Sequence, residues 1–551
     1  MRRATFLVLV AALAVSAMAC SAPVSPAAPA GGGQPAAGQP KLGGALNLRI
    51  LGDPFDWDLS YVGKSEPNGG GMAYVYNSLL GFKTGPDLKF ADLILRPELA
   101  ETWDTSADGK TFTFHLRKGV KFADKAPING RDLTAADVKW SYEYWSRSGA
   151  LKDKKLPTGQ FAWMFEGLAG VDAPDASTVM VRFTDPFAPF LSFAASDFNP
   201  VVPHEIYDRD GNFKNQAVGS GPFQMDESAS QKGSRWVFKK NPGYFEPGKP
   251  YLDELRWLVI PDDSTALAAF RTKQIDMVGG GAGSRLSTQQ AEDIKKSAPS
   301  AVLLQYADPA PMHFYLNARK KPLDDLRVRR ALAYAIDPDE FIKVLYDGKG
   351  LWALAGAFPD TFTQDEIHKI MKRDPAESKK LLAEAGFANG LDLEFIYPGT
   401  SYGESYITSM QLLQAQLKRV GINLQLKSLD KADESERKKT GDFVTTHTSK
   451  SLDSDVDSYL FNVFHPSSKA NYGGTNDPQL TDLLVGQRRE TDPKKRNEII
   501  RAAVLRIYDQ AHALALYEGV QSQFWYPFLK NYAPNFGTQG FPLTEAWIDG
   551  R

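Results

Sequence analysis

The 551 residues predict a mixed α/β or α+β protein on three observations. Short stretches alternate apolar and polar residues with the two-residue period of a half-buried strand. Amphipathic helical stretches interleave with them. In the second half, Asp-Pro pairs repeatedly mark helix starts.

The chain opens with MRRATFLVLVAALAVSAMAC, where Arg2 and Arg3 precede an uncharged run from Ala4 to Ala19. That is the layout of a secretory signal peptide, and the run is short for a membrane span. Ala17 and Ala19 flank Met18 just before Cys20, the single cysteine of the chain, so residues 1–19 resemble a bacterial lipoprotein signal. The resemblance implies lipidation at Cys20, with ordinary secretory cleavage as the plainer alternative. Ala17 departs from it, standing where such signals prefer leucine. Residues 21–44 hold 17 Ala, Pro or Gly in 24 positions and one charge, Lys41, so a solvated linker is expected. As a flexible coil it reaches roughly 25–30 Å, a tether suited to a lipid anchor.

Folded structure is expected from Ala45. KTFTFHL (110–116) alternates Phe112, Phe114 and Leu116 against polar neighbours, and VMVRF (179–183) reads the same way, so both are strands. Between them, DLTAADVKWSYEYW sets Thr134 and Asp137 at capping-box spacing ahead of Val138, Trp140, Tyr142 and Trp145, the start of a helix. Later helices are announced by Asp337-Pro338, Asp374-Pro375, Asp477-Pro478 and Asp492-Pro493, with Gly386 closing the second of them. The second half is therefore the more helical.

Composition narrows the function. The formal net charge is −2, or −4 once Arg2 and Arg3 are gone, and the basic clusters at 319 and 494 are scattered, which argues against a nucleic-acid partner. With no cysteine after position 20, disulfides, thiolate metal sites and a cysteine nucleophile are excluded from the folded part. Gly109-Lys110-Thr111 resembles the end of a P-loop, but Asp104 occupies the required first glycine and a strand follows. GGGAG (279–283) lacks dinucleotide spacing. DSDVDS (453–458) alternates acids like a calcium loop, yet Ser458 and Phe464 stand where glycine and glutamate are needed. HEIYD (204–208) lacks the second histidine of a zinc helix, and VGSGPF (218–223) is not a nucleophile elbow. No cofactor, no metal and no catalytic residue is expected, and the protein is read as not an enzyme.

LAETWDTSADGKTFTFHLRKGVKFADKAPINGRDLTAADVKWSYEY (99–144) resembles the extracellular solute-binding proteins of family 5, the dipeptide and oligopeptide receptors of ABC importers. Further blocks follow in that family's order: VGSGPFQM (218–225), KKNPGYFEPGKPYLDEL (239–255), AAFRTKQIDM (268–277), LDDLRVRRALAYAIDPDEFIKVLYDGKG (323–350), AESKKLLAEAGFANGLDLEFIY (376–397) and LLQAQLKRVGINLQL (412–426). The resemblance implies a two-lobe periplasmic-binding-protein-like α/β fold of type II, with an extra subdomain and two hinge strands. Carried onto this chain, the N-terminal lobe is 45–305 plus 515–551 with a subdomain at about 70–205, and the second lobe is 306–514. The partners implied are a small peptide-like solute and the membrane permease of an ABC importer, for a monomer held on the extracytoplasmic face of the membrane.

In peptide-binding members, an aspartate in a W-x-x-D stretch clamps the solute's α-ammonium. Aligning DVDSYL (455–460) on the segment after it leaves Ser449 at the tryptophan and Leu452 at the clamp, with Asp453 one residue late. Asp453 and Asp455 are thus ligand candidates. The alternative is that Asp453, Asp455 and Asp457 cap the following helix. Trp57, Met312, His313, Trp352 and Tyr402 complete the candidates by position. Trp163 is read as subdomain packing, with ligand stacking as its alternative. Within the receptor class an oligosaccharide or a metal chelate is the second ligand reading. An extracytoplasmic hydrolase or a peptide chaperone on the same scaffold is the reading from another class.

Overall fold

The computed structural model describes residues 38–54, 57–58, 72–152, 154, 156, 161–280, 286–308, 311–358, 361–399, 404–448, 454–535 and 543–551. Cys20, Tyr402 and Asp453 lie outside them.

The local signals of the sequence are realised as elements. Phe112, Phe114 and Leu116 are buried on one face of the strand Thr111–Leu116, which pairs with Ala100–Thr105 and Thr178–Phe183 in a four-stranded antiparallel sheet completed by Leu168–Asp175. The helix Ala135–Ser146 covers this sheet, its start fixed by the Thr134 N–H donating to the Asp137 carboxylate at 2.8 Å. Phe190 fills the space between, within 4.9 Å of the Phe112 and Phe183 rings. All four Asp-Pro pairs open helices: Pro338–Tyr346, Pro375–Glu384, Pro478–Arg489 and Pro493–Asp509, each with proline in the first turn and the aspartate accepting from a backbone N–H. Gly386, just past the second, takes a left-handed φ of +92° that a side chain would strain. Gly109-Lys110 is a turn into a strand.

The fold is two-lobed α/β. Strand Ala45–Ile50 runs parallel to Glu254–Val259, which continues antiparallel to Arg235–Lys240 and Phe223–Met225; Leu46, Leu48, Trp257, Phe238 and Tyr74 are buried around this sheet. A three-stranded sheet follows, with Val520–Trp525 between Met277–Gly279 and Val302–Ala307. The helical half is built on a five-stranded sheet in the order Ile422–Ser428, Leu391–Tyr397, Thr445–Thr448, Met312–Leu316, Ala513–Tyr517. Helices Leu326–Ala335, Pro338–Tyr346 and Glu404–Arg419 pack one face through Phe314, Leu332, Phe341 and Leu413. Helices Asp457–Phe464, Pro478–Arg489 and Pro493–Asp509 pack the other through Tyr315, Tyr459, Leu484 and Ile507.

The chain passes between the three-stranded and five-stranded sheets twice. It leaves between Ala307 and Met312, and returns in the two residues Glu518 and Gly519. The Asp308 N–H donates to the Gly519 carbonyl at 2.8 Å, tying the two passages together. Among the described residues no helix is long and apolar enough to cross a membrane.

Candidate functional site

The register of the five-stranded sheet gathers several candidate residues at one end. Leu391–Tyr397 and Thr445–Thr448 are parallel and finish there, Ala513–Tyr517 finishes there, and the antiparallel Met312–Leu316 begins there. Met312 consequently faces Tyr517, and His313 has Ala515 on one side and Thr448 on the other. Open α/β sheets bind ligands in the crevice beyond the carboxyl ends of their strands. The strands Leu391–Tyr397 and Thr445–Thr448 end here, beside the two passages to the other sheet.

His313 is 1% exposed, and its Nδ1 shares a 2.8 Å hydrogen bond with the Tyr459 hydroxyl. Burial drives its pKa down to about 3, so the imidazole is neutral at physiological pH. Its Nε2 meets no hydrogen-bond partner among the described residues. Met312 is half-buried against the helical core. Trp352 is half-buried, donates Nε1–H to Asp339 at 2.7 Å and meets the His368 ring edge-on at 4.6 Å.

Two candidates are engaged elsewhere. Trp57 is buried, its ring edge-to-face with Trp236 at 5.8 Å and Phe238 at 6.3 Å. Asp455 is held by both terminal nitrogens of Arg496, at 2.8 and 2.6 Å, and accepts from the Asp457 N–H at 2.9 Å. Asp455 thus spends its carboxylate on Arg496 and on the first N–H of the helix Asp457–Phe464, whose N-cap position is Val456. Trp163 packs edge-on to Phe193 at 5.3 Å.

The structure adds groups to which the motifs gave no pointer. Arg488, at the end of helix Pro478–Arg489, forms a two-pronged pair with the fully buried Asp457, Nε to Oδ1 and Nη2 to Oδ2, both at 2.8 Å. Its Nη1 reaches Glu166 at 2.8 Å, its carbonyl accepts from the Ala188 N–H at 2.7 Å, and its guanidinium lies over the Phe461 ring. Glu166 and Ala188 flank the antiparallel sheet of the first half, so Arg488 joins that sheet's rim to the helical half. At the passages, the Phe90 ring stacks on Tyr306 at 3.9 Å. The Gln521 amide donates to Asp308 at 2.7 Å, and burial with a further push from Asp308 raises the Glu518 carboxyl to about 8. A readable signal for Glu518 exists: it is the single acid in the otherwise uncharged run ALALYEGVQSQFWY (513–526). Arg488 has no such signal, being one of two adjacent arginines at the end of an amphipathic helix.

Residues 95–471 match the pattern of the bacterial extracellular solute-binding proteins, family 5 Middle. The chain belongs to this family. Among curated family 5 relatives, the dipeptide-binding protein of Escherichia coli K12 is 30% identical over 463 residues, covering 80% of this chain and 83% of its own. Heme-binding protein A of Haemophilus influenzae is 27% identical over 493 residues, covering 85% and 86%. The periplasmic binding protein DppA of Helicobacter pylori, solved with the peptide STSA, superposes with a TM-score of 0.75 at 23% identity, covering 93% of this chain and 99% of its own. The family 5 relatives are solute-binding proteins of ABC importers, extracellular or periplasmic, and this establishes the same general class for the chain.

Proposed function

We propose that this family 5 protein captures a peptide-like solute between its lobes and delivers it to the permease of an ABC importer. The observation that carries the reading is the family 5 match over residues 95–471, on a fold whose two sheets are joined by two short passages beside the strand ends that hold Met312 and His313. Lobes hinged on two short passages close on a solute and remove it from water, and a permease then selects the closed form. Met312 and His313 form the inner end of the crevice in this reading, with Tyr402 and Asp453 in its loops, Trp352 toward the helical half, and Trp57 and Asp455 as supports. The lobes are 45–305 with 515–551, and 306–514, with the subdomain at about 70–205. Cys20 carries a lipid that holds a monomer at the extracytoplasmic face of the membrane, and 21–44 is the tether.

A metal chelate or haem is the second reading. It is favoured by Leu452 at the clamp position and by the relative named as heme-binding. A thermal-shift screen of dipeptides, oligopeptides, oligosaccharides, haem and chelated metals tests both. Stabilisation by peptides recovered unmodified supports the first reading, stabilisation by chelates alone replaces it with the second, and turnover of a bound peptide overturns the receptor reading. Mass spectrometry of the mature N-terminus tests Cys20: a diacylglyceryl mass is expected, and an unmodified cysteine removes the anchor.

A further inference from the structure

We infer that the hinge itself carries a subsite for an organic cation, an ammonium or guanidinium group of the solute, made by Glu518 and the Gln521 amide oxygen beside Asp308. The inference rests on the receptor reading for its biological meaning. Its physical basis is local.

Glu518 is one of the two residues that connect the strands Ala513–Tyr517 and Val520–Trp525. Its backbone is pinned in both directions to Leu351, N–H to carbonyl at 2.9 Å each way, so the side chain starts from a fixed point. A Cβ on the next residue, Gly519, would stand 2.4 Å from the Tyr346 hydroxyl, so glycine lets that ring pack against the passage. The second passage lies alongside through the 2.8 Å bond from the Asp308 N–H to the Gly519 carbonyl. Two carboxylate residues, one from each passage, therefore share the hinge.

No hydrogen bond or ion pair engages the Glu518 carboxylate among the described residues, and no lysine or arginine stands against it. Burial and the Asp308 charge hold its proton on to about pH 8, while the residue keeps partial contact with solvent. The independent observation is Gln521. It is 6% exposed, its amide nitrogen is spent on Asp308 at 2.7 Å, and its amide oxygen is buried without a donor. Gln521 donates to Asp308 and Glu518 feels the Asp308 charge, so a buried carbonyl without a donor and a carboxyl kept from ionising share one neighbour, and a positively charged N–H donor entering there satisfies the carbonyl and favours release of the Glu518 proton. Among the described residues no group of three or more His, Cys, Asp or Glu side chains is placed to hold a metal ion. Ammonium and guanidinium groups supply the several N–H donors that this acceptor set lacks. The subsite also sits where closure happens, so a cation bridging the two passages favours the geometry in which they are together.

The test uses the full chain in detergent and two arms. In the first, the protein is incubated with a tryptic digest of casein and retained solutes are read by native mass spectrometry. In the second, thermal shift and tryptophan fluorescence compare agmatine with the neutral 1-butanol at constant ionic strength, in the native protein, Glu518→Gln and Gln521→Leu. Agmatine is expected to raise the melting temperature of the native protein and 1-butanol to leave it unchanged. The apparent affinity for agmatine is expected to fall at least tenfold in Glu518→Gln and by a smaller factor in Gln521→Leu. Absence of an agmatine effect, or an equal effect in Glu518→Gln, overturns the subsite whatever the first arm shows. A cation effect that Glu518→Gln abolishes, with no solute retained from the digest, leaves the subsite standing and counts against the peptide-receptor reading.

Discussion

Arg488 lies over the ring of Phe461, its guanidinium carbon 3.1 Å from the ring centre, and meets the buried carboxylate of Asp457 through two hydrogen bonds of 2.8 Å. Planar geometry, a ring face and a matching carboxylate are the setting in which arginine is not replaceable by lysine. The outer nitrogen continues to Glu166, whose side chain is exposed. One guanidinium thus serves a buried pair and a surface contact at once.

Removing the cation leaves the Asp457 carboxylate buried with the neutral Gln487 amide still donating to it and no cation hydrogen-bonded to it among the described residues. Arg488→Ala is expected to cost about 3–5 kcal/mol in urea denaturation. Glu166→Gln removes only the exposed partner and is expected to cost about 0–1 kcal/mol. Equal losses for the two variants would contradict the division between buried and surface partners.

His313 predicts a stability change at low pH. Its native pKa is about 3 against an ordinary value of 6.5, so between these values the unfolded chain binds a proton that the folded chain refuses. The contribution of His313 is present in full above pH 6.5 and is lost progressively as pH falls toward 3. Tyr459→Phe, which strips the partner from Nδ1, is expected to cost about 1–3 kcal/mol at pH 7. His313→Gln is expected to flatten the decline between pH 6.5 and 4, measured as denaturation midpoints across that range.

Glu518 predicts the opposite slope. Its carboxyl keeps a proton to about pH 8 in the folded protein against an ordinary 4.5, so the folded state binds more protons across that window. Stability from this group falls as pH rises from 4.5 to 8. Melting temperatures of the unliganded protein at pH 5, 6.5 and 8 should decline less in Glu518→Gln than in the native protein. Parallel curves would show that the carboxyl is ionised throughout.

Two Asp-Pro helix starts separate a cap from a network. Among the described residues the Asp374 carboxylate accepts only from the Ala376 and Glu377 N–H groups, so Asp374→Ala is expected to cost about 1 kcal/mol. Asp477 also accepts from Arg506 at 2.8 Å and shares a 3.2 Å contact with the buried His512. The Arg506 hydrogen bond, and that with His512, hold its carboxyl at about 2 against the opposing effect of burial. Asp477→Ala is therefore expected to cost about 3 kcal/mol, the cap together with one charged partner left behind. Guanidinium denaturation of both variants gives the comparison.

The legible part of the fold was that written in neighbours along the chain. Thr134 with Asp137, the four Asp-Pro pairs and the alternation of Phe112, Phe114 and Leu116 each act within a few residues, and each became the element it announced. The family was legible through long blocks whose order is itself the information. The surroundings of the candidate site residues were not legible in the same way. Trp57 and Asp455 are aromatic and acidic by sequence, but nothing nearby says that Trp236 and Arg496, about 180 and 40 residues on, will occupy them.

The sequence by itself determined the helices with their caps, the strands with their faces and the family, because capping, periodicity and block order are local or serial properties. Only the tertiary structure decided which charges are spent and which are left to act. Asp455 found Arg496 and Asp457 found Arg488, whereas Glu518 came to rest between two passages beside Asp308 with no cation opposite. The energy of a buried charge depends on what stands within a few ångströms in space, and that distance is set only when chain segments hundreds of residues apart have packed together.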